Sequence, residues 1–198
     1  MKVAFGMKAH SGWAVLVAIG EHNDDLVVAD RRHIELAEDD WARQPYHAAE
    51  GLKPGEARDV VERGVNGARR SALREMRAAL KREQERGNEV TACAVLVGNP
   101  MPDWGVEEIL AVHFRMHKAE GVLFRDALVR ATEACGLWLV AIHEKDLTKH
   151  AERVLKIPAS NLVKKVTVLG KSIGAPWGRD QKEAALAALV ALQGHAKS

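Results

Sequence analysis

The chain has 198 residues, which is one domain's worth, and its 47% apolar and 28% charged composition is that of a globular chain with a sizeable core. A net charge of +2 makes no bulk demand for nucleic acid, and no apolar stretch of about 18 residues without charges is present to span a membrane. Cys93 and Cys135 stand alone on apolar segments, which excludes a disulfide framework or zinc knuckle and reads as two reduced core thiols.

Val3 to Lys8 reads as a strand, followed by a turn at Ala9-His-Ser-Gly12 and a wholly apolar second strand from Trp13 to Ile19. The polar turn Gly20–Asp25 leads into a third strand, Leu26 to Leu36. Short turns between three strands predict an antiparallel meander. A loop over 37–55 holds a short helical piece around Tyr46–Leu52, and Tyr46-His47 reads there as packing or lid. Residues 56–86 carry apolar positions at helical spacing, stopped at Gly87-Asn88. Val90 to Val97 is a continuous apolar run, as in a buried parallel strand. After a loop over 98–105, where Trp104 reads as packing or lid, helical patterns cover about 106–113 and 117–135. Leu137 to His143 gives a fifth strand, and helices follow at about 147–156, 160–169 and 180–193. The order predicts one α/β domain over 1–198: a mixed five-stranded sheet with helices on both faces.

Charge is unevenly spread. Residues 21–50 carry nine acidic residues against three arginines, and residues 149–198 carry nine basic residues against three acidic ones. The asymmetry builds an acidic and a basic face, or is solvated surface charge.

The clearest chemical cluster is His113-Phe-Arg-Met-His117-Lys-Ala-Glu120-Gly121. On a helix continuous from 113 to 120, His113, His117 and Glu120 fall at i, i+4 and i+7 on one face, a set that can hold a divalent metal or move protons. Glu120 is also in register with the apolar positions Phe124, Ala127, Leu128 and Ala131, and a carboxylate aimed at a core needs a partner. The competing reading is capping or surface histidines, with Glu120 paired to Arg125 or Lys8.

At the end of the first strand, Lys8, His10 and Ser11 sit where open α/β sheets favour ligand crevices, and can grip an anion such as phosphate. Trp177 lies among Lys171, Arg179 and Lys182, a mixture suited to base stacking and phosphate contact. Asp180 reads as a helix N-cap, with Glu183 three residues on as in a capping box. Gly170-Lys-Ser172 lacks the preceding glycine and strand of a phosphate loop.

This order resembles the ribonuclease H-like superfamily, and within it the RuvC-type resolvases. Val3-Ala-Phe-Gly-Met-Lys-Ala-His-Ser-Gly-Trp-Ala-Val resembles their first hairpin, and Asp180-Gln-Lys-Glu183 with its alanine-leucine run resembles their last helix. A group of bacterial proteins is similar too, sharing a Lys-Ala-His-x-Gly-Trp-Ala opening and a Pro-Trp-x-x-Asp-Gln-Lys-Glu-Ala ending. The resemblance implies nucleic acid or a phosphorylated ligand as partner. It also implies carboxylates from strand one, the end of strand four and the last helix, binding Mg²⁺ or Mn²⁺ to hydrolyse phosphodiesters. Here the first strand has no acidic residue, and Lys8 stands near that place. Either the chain is not a nuclease, or its site is rebuilt from Glu120, Asp180, Glu183 and His117 as metal-holding or proton-moving groups, with metal also on His113 and phosphate on Lys8 and Arg179. Hard cations want oxygen ligands and Lys8 repels them, which favours the first. The runner-up is a non-catalytic binding protein, or a homodimer through the 56–86 helix or the C-terminal helices. A start without a signal peptide gives a cytoplasmic expectation.

Overall fold

The computed structural model describes residues 1–23 and 25–195. Five strands form one sheet: β1 (Lys2–His10), β2 (Trp13–His22), β3 (Asp25–Glu35), β4 (Glu89–Val97) and β5 (Trp138–His143). Their order is β3-β2-β1-β4-β5. β1 pairs antiparallel with β2, and β2 with β3, as the short turns dictate. β4 lies parallel to β1, and β5 parallel to β4, each after a helical crossover. The mixed sheet is the one expected; β2 runs three residues beyond its expected end.

The helices are α1 (Pro45–Ala48), α2 (Pro54–Glu85), α3 (Val106–Leu110), α4 (His113–Ala134), α5 (Leu147–Leu155), α6 (Ala159–Leu169) and α7 (Arg179–His195). The junction between α3 and α4 is at Ala111-Val112, and α4 starts four residues before the expected restart, so it is unbroken from His113. No described helix is long and apolar enough to cross a membrane.

Period-two alternation sorts β1 between two cores. Val3, Phe5, Met7 and Ala9 join Leu16, Ala18, Cys93 and Val95 under α2 and α4. On the opposite face Ala4 joins Val15, Val17, Ala94 and Leu96 under α5, α6 and α7. Gly6 and Lys8 follow Ala4 on that second face. A Cβ on Gly6 would sit 1.9 Å from the Ala184 carbonyl oxygen, so α7 lies directly on the β1 backbone. The alanine run Ala184–Ala191 permits this approach, because short side chains let the backbones meet. One turn before Ala184, α7 therefore carries Asp180 and Glu183 over Lys8.

The same device seats α1. A Cβ on Gly64 would sit 2.4 Å from the Pro45 Cβ, so α1 rests on α2 at that glycine. Tyr46 joins Val61, Ile109, Met116 and Ala119 in a small third core, and the next residue, His47, is brought against α4.

Candidate functional site

Two polar centres lie past the carboxyl ends of β1 and β5. The first is built around Lys8, which is only 5% exposed. Its Nζ lies 3.1 Å from Glu144 Oε1 and 3.0 Å from Asp180 Oδ1, and donates a short hydrogen bond to Glu183 Oε2. Each carboxylate has a second partner. Arg125 donates to Glu144 Oε2 at 3.0 Å, His10 Nε2 lies 3.1 Å from Asp180 Oδ2, and Arg179 Nε donates to Glu183 Oε1 at 2.7 Å. Burial works against the Lys8 ammonium, but its hydrogen bonds to Glu183, Asp180 and Glu144 outweigh that and hold its pKa above the ordinary value. Burial likewise pushes Asp180 and Glu183 up. Lys8 and His10 pull Asp180 back below its usual value, and Lys8 and Arg179 do so for Glu183. The ring is a charge-matched network with its cation already in place.

That arrangement decides the fit of a two-ion centre. A divalent pair needs several free oxygen ligands converging on open space. Here the space between Glu144, Asp180 and Glu183 holds an ammonium covalently tethered to strand one. The residues present do not fit the two Mg²⁺ or Mn²⁺ ions that the resemblance implies.

The second centre surrounds Glu120, 5% exposed on the inner face of α4. Its partner is neither Arg125 nor Lys8 but His47. Glu120 Oε1 accepts the His47 backbone N–H at 3.2 Å, and its two oxygens lie 2.9 and 2.8 Å from His47 Nδ1. His113 and His117 point to the same place, with their Nε2 atoms 3.1 Å apart. The His47 ring stands 5.1 Å from that of His113 and 4.7 Å from that of His117, centroid to centroid.

Of the residues singled out in the sequence, Lys8, His10, Asp180 and Glu183 meet in the first centre, and His113, His117 and Glu120 meet in the second. A cavity of about 220 Å³, lined by His10, Ser11, Glu120 and Arg125 among others, lies between them. Lys8 has no free valence for a phosphate, since three carboxylates surround its Nζ. Trp177 is half-buried and its Nε1 donates to the Val166 carbonyl at 2.9 Å, so its ring belongs to the packing of α6. Asp180 is not the N-cap: α7 starts one residue earlier, at Arg179, and Gln181 Oε1 reaches back to the Gly178 N–H at 2.8 Å. Freed from capping, Asp180 turns to Lys8. Arg179 is exposed, and with Lys182 it edges a cavity of about 380 Å³ floored by Leu162, Val166 and Leu186. Trp104 carries two cations on its ring, the Arg115 guanidinium at 4.8 Å and the Lys118 ammonium at 5.6 Å.

Three participants went unrecognised in the sequence: Glu144, Arg125 as its partner, and His47. Glu144 follows directly on β5, at the carboxyl end of a parallel strand, and that position was the available signal. His47 has none, because its meeting with α4 depends on the close seat of α1 at Gly64.

No family model matches the chain, and no curated protein sequence matches it. Solved structures do. The Thermus thermophilus RuvC structure superposes with a TM-score of 0.52 at 11% identity, covering 95% of this chain and 92% of that one. T. thermophilus RuvC in complex with Holliday junction substrate gives 0.50 at 11% identity, covering 96% and 92%. The Aquifex aeolicus member of the Ppx/GppA family gives 0.39 at 12% identity, covering 76% of this chain and 38% of that one. At such identities the likeness is one of fold alone: the mixed sheet and flanking helices are laid out as in the RuvC structures.

Proposed function

We propose that this chain is a nucleic-acid-binding member of the ribonuclease H-like fold that does not cut phosphodiesters by the two-ion route. The observation that carries the second half is Lys8. A buried ammonium inside the carboxylate ring neutralises the groups that would otherwise hold metal. The binding half rests on charge and architecture. With Asp180 and Glu183 occupied by Lys8, His10 and Arg179, the remaining exposed cations nearby act unopposed by them. Lys164, Lys165 and Lys171 are exposed, and Lys182 is half-buried at the cavity edge. Clustered cations of this kind release counterions from a polyphosphate backbone. A RuvC of the same architecture has been solved on a Holliday junction.

The test is fluorescence anisotropy with labelled four-way junction, duplex and single-stranded DNA, in chelator and in Mg²⁺ or Mn²⁺, with the products run on a denaturing gel. Expected are binding that weakens steeply with salt, equal affinity with and without metal, and intact strands. A Lys165→Ala, Lys182→Ala double variant should lower affinity for all sequences alike and flatten the salt slope by about two. Metal-dependent cleavage that disappears in Asp180→Asn refutes the non-cutting half. Absence of binding at low salt refutes the binding half.

A further inference from the structure

We infer that His47, His113 and His117 form a binding site for one Zn²⁺ ion, with Glu120 as the group that orients His47. One ring nitrogen from each of the three histidines lies within 4.8 Å of the other two. The 3.1 Å separation between the Nε2 atoms of His113 and His117 is the most telling distance. Two imidazole lone pairs that close repel unless a proton or a cation lies between them. Around a tetrahedral zinc with Zn–N bonds of about 2.0–2.1 Å, ligand nitrogens sit roughly 3.3 Å apart. Those two rings are therefore already spaced as a pair of zinc ligands, one helical turn apart on α4.

His47 supplies the third direction, and its tautomer follows from its hydrogen bonds. The Glu120 carboxylate faces Nδ1 with both oxygens, so Nδ1 carries the proton and donates it, and Nε2 is left with its lone pair. A buried carboxylate holding a histidine by its far nitrogen is the outer-shell arrangement that fixes ring orientation and raises basicity at metal-bound histidines. It also gives Glu120 a reason to sit on the core face of α4. Glu120 is a positioning residue here and not a ligand, which revises the His113/His117/Glu120 set of the sequence.

Donor chemistry selects the ion. Imidazole nitrogens suit Zn²⁺, while Mg²⁺ and Ca²⁺ want oxygen. Three protein ligands leave a fourth tetrahedral position, and the exposure of His113 and His117 opens it to solvent. The site is thus of the open kind rather than a closed structural one. It is independent of the Lys8 ring and of nucleic-acid binding.

Zinc titration of the untagged chain by calorimetry, with Co²⁺ absorption as a geometric probe, tests the inference. Expected are one saturable ion per chain, the intense visible bands of tetrahedral Co²⁺, and a rise in Tm of about 5–10 °C with free zinc near one hundred times its Kd. His113→Ala and His117→Ala, both surface changes that leave the fold intact, should each abolish the cobalt bands. Glu120→Gln should weaken zinc about 10–100-fold while keeping the stoichiometry. His150→Ala, on α5, should change nothing. Saturable binding that survives both α4 variants, loss of binding in His150→Ala, or no binding by the wild-type chain overturns the assignment.

Discussion

Replacing Lys8 by Met removes the ammonium and keeps the stem, so packing is conserved and charge is isolated as the variable. Breaking a fully buried ion pair from one side costs about 3–5 kcal/mol. The figure here is lower for two reasons. The side chains of Glu144, Asp180 and Glu183 are 27, 28 and 22% exposed, and each retains its second partner, Arg125, His10 or Arg179. A loss of about 2–4 kcal/mol remains, which in a chain of this size lowers Tm by about 5–15 °C. The pH dependence has a definite sign. Asp180 and Glu183 sit below their ordinary pKa in the folded protein, so their share of stability is present above the carboxylate range and is lost as pH falls through their folded values. Lys8 sits above its ordinary value, so its share is present below 10.5 and is lost as pH rises through its folded value. The gap between wild type and Lys8→Met in thermal melts should be widest from roughly pH 5 to 10 and close in acid. The shorter Lys8→Ala variant also vacates the space between three carboxylates, and Mn²⁺ should raise its Tm by several degrees more than that of the wild type. Equal Tm values for wild type and Lys8→Met at neutral pH would refute the view that the ring is a stabilising, self-neutralised network.

Two further outcomes follow from the packing. Gly6→Val places side-chain atoms where the Ala184 carbonyl lies, and should cost about 3 kcal/mol or more by overpacking, seen as a large fall in Tm or loss of soluble protein. Cys93 is fully buried, and burial pushes its thiol up to about 12, so a thiol reagent at pH 8 should leave it unmodified until the chain is unfolded by denaturant; rapid labelling of Cys93 in the native protein would contradict the core assigned here.

The sheet was legible because its central strands are long apolar runs with short polar turns, and those features are local. The alanine-rich helix over 184–192 is legible as core or an interface, because small side chains allow close approach, and the structure buries it against β1. The ring around Lys8 was half legible. Lys8 and His10 sit at a strand's carboxyl end and Asp180 and Glu183 open the last helix, so the resemblance drew them to one place. It cast them as holders of phosphate and metal, whereas they hold each other. What reversed the meaning was Glu144, a third carboxylate 136 residues from Lys8 by position, which no periodicity links to it. His113, His117 and Glu120 were legible as one face because helical spacing is local. His47 was not, because it arrives through a glycine contact between α1 and α2 that has no signature in the spacing of either segment.

The seat of α7 on β1 also governs when this molecule can become itself. Lys8 and Glu183 are separated by 175 residues, and the contact that joins them cannot form until the chain between them has been made. Until then, the sheet face bearing Ala4, Val15, Val17 and Leu96 has lost its principal cover, and Lys8 has only Glu144 to answer it. Closing so long a loop is entropically slow, and its reward arrives all at once, as an alanine surface and two carboxylates docking together. β1 is thus completed by α7, and the ion cluster acts as a latch that closes when the two meet.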